Sequence, residues 1–220
     1  MKAVIMGGGG SLGSYLVETL LANGQDVRVF DRPGARYLEY SSQRGANIVT
    51  GNFLDHNAVG NAISDRDIVY HLVSATVPQT SNENPRLDVE ANLIGSLQLL
   101  EQIRSANVKK IIFASSGGTV YGIPRQIPIK ESHPTDPISS YGIIKLAIEK
   151  YLHLCWTLYG LDYCILRIAN AYGARQPVTQ TQEVIAAILS KAISKEKIMI
   201  WGMALFCVII FMRAILRMLF

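Results

Sequence analysis

A short apolar run, Lys2-Ala-Val-Ile-Met6, ends abruptly on Gly7, Gly8, Gly9 and Gly10, and a further glycine follows at Gly13. A run of about five apolar residues without polar alternation suits a strand buried on both faces, as in a parallel sheet. The glycines release the chain from the strand, and residues 11–21 then place apolar side chains at helical spacing. A strand, a glycine turn and a helix in that order require a crossover and a second parallel strand. The rest of the chain supplies them. Strands are expected at 26–30, 46–50, 67–72, 108–114 and 162–168, with helices at 87–105 and 139–159 between them. The pattern is that of an α/β chain with helices on both faces of a parallel sheet.

The glycine spacing carries a second meaning. Gly7, Gly10 and Gly13 form a G-x-x-G-x-x-G variant of the dinucleotide fingerprint. Its first glycine permits the tight turn, its second lets backbone approach a pyrophosphate, and its third permits close helix–strand packing. The phosphates would lie at the positive end of the helix that begins with Ser11 and Leu12. Asp31 closes the second strand eighteen residues after Gly13, where a carboxylate can accept hydrogen bonds from an adenosine ribose. That pairing favours NAD, while Arg32 and Arg36 leave a 2′-phosphate, and so NADP, in play.

Tyr141 and Lys145 stand four residues apart, one turn along the same helix face. A phenol of ordinary pKa near 10 is a poor base at neutral pH, and a neighbouring ammonium makes the phenolate accessible. Tyrosine and lysine at this spacing are commonplace on surface helices, so the preceding segment matters. Phe113-Ala-Ser-Ser-Gly-Gly-Thr-Val-Tyr-Gly122 follows the fifth strand at its carboxyl end, the edge where open α/β sheets bind ligands. Ser116 there could hold a substrate hydroxyl while Tyr141 takes its proton. The loop 123–137, with four prolines, suits the rim of such a site.

On these residues the chain resembles the extended short-chain dehydrogenase/reductase superfamily, and within it the UDP-glucose 4-epimerases and related sugar-nucleotide epimerases and dehydratases. The resemblance covers residues 1–202. It includes the glycine loop, Asp31, Gly51-Asn-Phe-Leu-Asp55, His71-Leu-Val-Ser74, Asn92, Ser115-Ser116, Tyr121-Gly122, Tyr141 with Lys145, and the run from Leu166 to Gln176. It implies an α/β, Rossmann-type doubly wound sheet over residues 1–175 and only the start of a second, substrate-binding domain at 176–202. It implies NAD as cofactor, held by Gly7, Gly10, Ser11, Leu12, Gly13, Asp31, Arg32, Asn52, Phe53, Leu72, Val73, Ser74, Asn92, Tyr141 and Lys145. Ser116, Tyr141 and Lys145 would be catalytic, with Ser116 and Asn170 reaching the nucleotide sugar. Asn52 departs from the aspartate usual beside the adenine, although its amide oxygen can still accept a bond. Val73 replaces a usual alanine near the pyrophosphate, and Ala174 a common proline.

The resemblance implies a UDP-hexose substrate epimerised at C4 and, in the parent protein, a homodimer built on helices such as 87–105 and 139–159. Related dehydratases carry an Asp-Glu pair directly after the catalytic hydroxyl. Here Gly117 and Gly118 follow Ser116, which favours epimerisation over dehydration. Decarboxylases and reductases of the same superfamily stay open, as does a non-catalytic NAD-binding remnant. Twenty-one basic and 17 acidic residues give a net charge of +4 without a basic, aromatic-laced stripe, which argues against nucleic acid as a partner. Cys155, Cys164 and Cys207 have neither metal-ligand spacing nor disulfide density, so the expectation is no metal and a reducing, cytoplasmic setting. The first residues run straight into glycines, unlike a secretion signal.

Residues 203–220 break the pattern. Relatives continue from a glycine such as Gly202 as Gly-Asp-Gly-Ser-x-x-Arg-Asp-Tyr, whereas here an apolar run, 203–212, leads to Arg213 and Arg217. Restoring one G before the codons of Met203 and Ala204 reads Asp-Gly, and the shifted codons beyond it permit Ser-Val-Leu-Arg-Asp-Tyr-Ile-Tyr. A shifted reading frame is therefore the expectation for this tail, with a hydrophobic anchor or a core helix as the alternatives. The apolar run is about half the length of a membrane-spanning helix.

Overall fold

The structure is a computed structural model, and it describes residues 1–175, 184–198 and 210–212. The chain divides into two compact units, residues 1–168 and 169–220.

In the first unit the elements are β1 (Lys2–Met6), α1 (Ser11–Ala22), β2 (Asp26–Asp31), α2 (Leu38–Gln43), β3 (Asn47–Thr50), α3 (His56–Ile63), β4 (Ile68–His71), α4 (Pro78–Ser81) and α5 (Pro85–Asp88). After α5 come a π-helical turn (Val89–Ile94), α6 (Gly95–Ser105), β5 (Lys110–Ser116), α7 (Ser140–Tyr159) and β6 (Asp162–Ile168). The strands form a six-stranded sheet in the order β3-β2-β1-β4-β5-β6, and every pairing is parallel. This is the doubly wound arrangement the strand–helix alternation predicts, and its strand order reverses between β1 and β4.

Burial explains the apolar runs. Ala3, Val4, Ile5 and Met6 of β1 have no exposed surface, because helices cover both faces of a central parallel strand. The core gathers Val4, Met6, Phe30, Val69, Phe113, Leu99, Ile103, Ile144, Ile148 and Leu152 into one cluster. Local signals set the helix ends. Asp55 caps α3 by accepting from the backbone N–H groups of Asn57 and Ala58, and Ser139 caps α7 by accepting from Gly142. Gly160, at φ 71°, closes α7 in the left-handed conformation.

Two expectations change. The helix expected at 87–105 starts two residues earlier and carries the π-helical turn, which contains buried Asn92. Hydrogen bonding between the side chains of Asn92 and Asp88 accompanies that widened turn, a polar demand that hydrophobic periodicity does not register. The fifth strand extends two residues further than expected, through Ser116, because β6 pairs with it along its whole length.

The second unit begins at Ala169, earlier than the expected boundary at 175, and contains β7 (Asn170–Tyr172), α8 (Val184–Ile193) and β8 (Ile210–Met212). β7 pairs in parallel with β8, so three residues of the apolar tail form a strand. Apolar spacing predicts a helix over 179–194, of which residues 179–183 lie outside the described residues. The sequence also predicts a strand edge at 197–201, where Lys197 and Ile198 have no regular structure and 199–201 lie outside the described residues. The remainder of the tail, with Cys207, Arg213 and Arg217, also lies outside the described residues. Among the described residues no helix is long and apolar enough to cross a membrane, and no group of three or more His, Cys, Asp or Glu could hold a metal.

Candidate active site

The glycine loop leaves β1 at the switch point. Gly7 has φ 89°, and a Cβ there would lie 3.0 Å from the backbone of Leu72 and Val73, so the end of β4 presses directly on the turn. Gly13 is tighter still, since its Cβ would lie 2.5 Å from the carbonyl oxygen of Gly7. Gly10 is exposed and caps α1 without a side-chain hydrogen bond, which leaves the first-turn N–H groups of Ser11, Leu12 and Gly13 without a capping side chain. These residues fit a pyrophosphate: the approach is bare backbone, and the helix offers donors at its positive end.

Asp31 lies beside the loop. One carboxylate oxygen accepts from Gly9 N–H at 2.9 Å and the other from Arg32 N–H at 2.8 Å. Burial raises its pKa, and the two backbone donors pull it back. Asp31 therefore braces the turn, and Arg32 itself is exposed. Asn52 is also exposed, and its side-chain oxygen already accepts from Leu54 N–H at 3.0 Å. Phe53 turns inward, with its ring 5.4 Å from that of His71 and hard against Gly95.

On the other side of the switch point the site is built from buried charge. Lys145 is 6% exposed, and its ammonium donates to the carbonyl of Ala114 at 2.9 Å. It also sits 4.8 Å from the Phe113 ring centroid and 5.5 Å from that of Tyr141. Burial lowers its pKa to about 8, against a raising effect from Asp88. Tyr141 is partly buried at the start of α7. Burial raises its pKa, a hydrogen bond with Ser74 lowers it, and Asp88 raises it again. Ser116 ends β5 in register with Ile168, and its hydroxyl has no partner among the described residues. The sheet thus gathers Ser116, Tyr141, Lys145, Leu72, Val73 and Ser74 at its carboxyl edge. Asn170 is placed in β7, in the second unit.

Sequence reasoning overlooked several residues around this set. Asp88 is fully buried, and it accepts from the hydroxyl of Thr76 at 2.6 Å, the amide of Asn92 at 2.7 Å and the hydroxyl of Ser140 at 2.7 Å. Asn92 spends its side chain on this network, since its oxygen accepts from Ala75 N–H at 2.8 Å and its nitrogen donates to Thr76 and Asp88. It holds the 74–76 segment in place. Glu149, one turn beyond Lys145, is 4% exposed and accepts from Ser115 and from Arg167, which also donates to Tyr121 at 2.9 Å. Spacing was the available signal: Tyr141, Lys145 and Glu149 repeat at four residues on one face, and Asp88 lies four before Asn92.

His71 closes β4 beneath Lys145. The Ser96 hydroxyl gives its one proton to the Asn92 carbonyl at 2.6 Å, so in its 2.8 Å contact with Ser96 the His71 Nε2 must be the donor. Its Nδ1 is buried without a partner among the described residues, and burial with the Lys145 charge lowers its pKa to about 3, so near neutral pH the ring is neutral with its proton on Nε2.

A glycine cradle at the switch point of a parallel sheet, next to a helix carrying Tyr141 and Lys145, defines a nucleotide-dependent α/β enzyme site. The chain belongs to the NAD dependent epimerase/dehydratase family, which matches residues 3–205. It is 34% identical over 214 residues to a putative UDP-glucose 4-epimerase of Methanocaldococcus jannaschii, covering 90% of this chain and 65% of that protein. The chain thus spans less than two thirds of that relative. The UDP-glucose 4-epimerase of Thermotoga maritima, solved with UDP-glucose, superposes with a TM-score of 0.93 at 32% identity, over 99% of this chain and 71% of that one. The UDP-glucose 4-epimerase of Thermus thermophilus, solved with NAD, superposes with a TM-score of 0.91 at 30% identity, over 99% and 72%.

Proposed function

We propose that this chain is the cofactor-holding and proton-transferring part of an NAD-dependent epimerase that inverts C4 of a UDP-hexose. The observation that carries the reading is the buried Lys145, pinned to Ala114 and set against Tyr141 at the sheet edge beside the glycine cradle. Gly7, Gly10, Ser11, Leu12 and Gly13 would hold the pyrophosphate, and Asp31 with Arg32 the adenosine ribose. Asn52 and Phe53 would border the adenine, Val73 would lie near the pyrophosphate, and Leu72, Ser74 and Asn92 would complete the cofactor site. NAD, when bound, supplies the hydride acceptor and donor that such an inversion needs. Tyr141 would remove and return the sugar hydroxyl proton, Lys145 would hold the phenolate electrostatically, and Ser116 would orient the hydroxyl. Asn170 would reach the nucleotide sugar. Gly117 and Gly118 offer no acid or base for dehydration.

Exposed apolar side chains on α7, including Ile143, Leu154, Trp156 and Leu158, together with Leu87 and Ile94, support a homodimer in the parent protein. A cytoplasmic setting suits the free thiols of Cys155 and Cys164.

Titration calorimetry of the chain with NAD and with UDP-galactose tests the reading. An epimerase binds both, a cofactor-only remnant binds NAD alone, and binding of neither overturns the proposal. In a longer protein that contains this chain and turns over UDP-hexose, Tyr141→Phe is expected to lose about 10²- to 10⁴-fold in turnover while keeping NAD affinity. Undiminished turnover would remove Tyr141 from the mechanism.

A further inference from the structure

Two carboxylates are buried around α7, and they have different partners. Glu149 is neutralised by Arg167 at 2.6 Å. Asp88 has no exposed surface, and the donors it accepts from are two hydroxyls and an amide, all of them uncharged. Such donors solvate a carboxylate without cancelling its charge, and an uncompensated buried anion is costly. Close by is Lys145, itself buried, whose hydrogen-bond partner among the described residues is a neutral carbonyl. The groups around Lys145 are Tyr141 and Glu149 on α7, His71 from β4, Phe113 and Ala114 from β5, and Asp88 from α5. His71 is neutral and Glu149 is committed to Arg167, whereas the charge of Asp88 favours the ammonium form of Lys145.

Asp88 is also a mechanical junction. Through Thr76 and Asn92 it holds the segment carrying Ser74, and through Ser140 it holds the first residue of α7, next to Tyr141. Asn82 and Ser81 accept from the N–H groups of Ser140 and Tyr141, tying the same helix start to α4.

We infer that Asp88 is a positioning residue that clamps the Ser74–Thr76 segment to the start of α7 and keeps Lys145 protonated as its buried counter-ion. The inference rests on reading Tyr141 and Lys145 as the working pair. The charge of Asp88 acts on both members of that pair in one sense, raising the Tyr141 phenol and opposing the downward effect of burial on Lys145.

The test needs neither NAD nor sugar, so it stands apart from the outcome of the binding experiment. In the 220-residue chain labelled with ¹⁵N-lysine, the Nζ resonance of Lys145, assigned by its loss in Lys145→Arg, is followed against pH. In the wild type it should titrate near pH 8. Asp88→Asn keeps the polar contacts, with its amide donating to Ser140, and removes only the charge. It should lower the midpoint by about one pH unit, a tenfold loss of proton affinity. Thr76→Val removes one arm and keeps the charge, so it should leave the midpoint in place and speed hydrogen exchange at the Ala75 amide at least about tenfold. An unmoved midpoint in Asp88→Asn overturns the counter-ion role, and unchanged exchange in Thr76→Val overturns the clamp. Should Asp88→Asn not fold, Ser140→Ala decides the clamp by the same exchange measurement at Tyr141.

Discussion

The two sides of the switch point reach function by opposite means. On the β1–β3 side the chain clears space, and Gly7, Gly10 and Gly13 matter for the side chains they lack. On the β4–β6 side it fills space with polar and charged groups: Lys145, Asp88, Glu149 and the neutral His71 are all buried, each with a specific partner. A bare-backbone site tolerates little added volume but many changes of charge. A buried-charge site behaves in the reverse way, because its stability depends on every partner being present.

Substitutions can break that comparison, and the largest effect belongs to the charged side. Glu149→Gln should destabilise the chain by about 3 kcal/mol, since removing one partner strands Arg167. The low end of the usual range is appropriate because the Arg167 side chain is 25% exposed. Glu149 holds the Arg167 guanidinium above its ordinary pKa range, so denaturant melts near neutral pH read the loss directly. A change below about 0.5 kcal/mol would show that the pair contributes nothing net.

Next comes the cradle. In Gly13→Val the added carbons collide with Gly7 and Gly8, whose backbone atoms lie 2.5 and 2.6 Å from a Cβ at that site. The expected cost is about 1–3 kcal/mol, with loss of NAD binding by calorimetry. Retained NAD affinity in a folded Gly13→Val chain would contradict the need for close approach.

His71 sharpens the contrast through pH. Its folded pKa of about 3 lies below the ordinary 6.5, so the folded state binds fewer protons than the unfolded one. Its contribution is complete above about pH 6.5 and is lost as pH falls towards 3, at up to roughly 1.4 kcal/mol per pH unit. His71→Phe should flatten this acid limb in denaturant melts taken between pH 7 and pH 4, buffers chosen to span about that window. An identical acid limb would assign it to other groups. The smallest effect is expected at the surface pair Arg86–Glu90, where the Arg86 side chain is 89% exposed. Arg86→Ala should leave the melting temperature unmoved within error, the sign that charge matters here only where it is buried.

The cradle was legible because its signal is local: glycine content, spacing from a strand and an acid at the next strand end are properties of contiguous residues. Tyr141 and Lys145 were legible for the same reason, one helical turn apart. Asp88 and Glu149 were not, since an acid on a helix ordinarily faces water. Only the packing of α5 against α7, and of α7 against β5 and β6, makes these two buried. Asn52 and Phe53 mark a similar boundary, because sequence put them side by side while the fold turned one outward and the other into the core.

What the amino-acid sequence determined by itself is the alternation of buried strands and helices, the glycine turn, the acid at the end of β2 and the Tyr141–Lys145 spacing. Each depends on backbone conformation or on neighbours within about one helical turn. The tertiary structure alone decided which charges lose water, which polar atoms then partner them, and that residues 210–212 join β7. Those outcomes depend on contacts between residues far apart in the chain, where burial turns weak surface charges into strong ones.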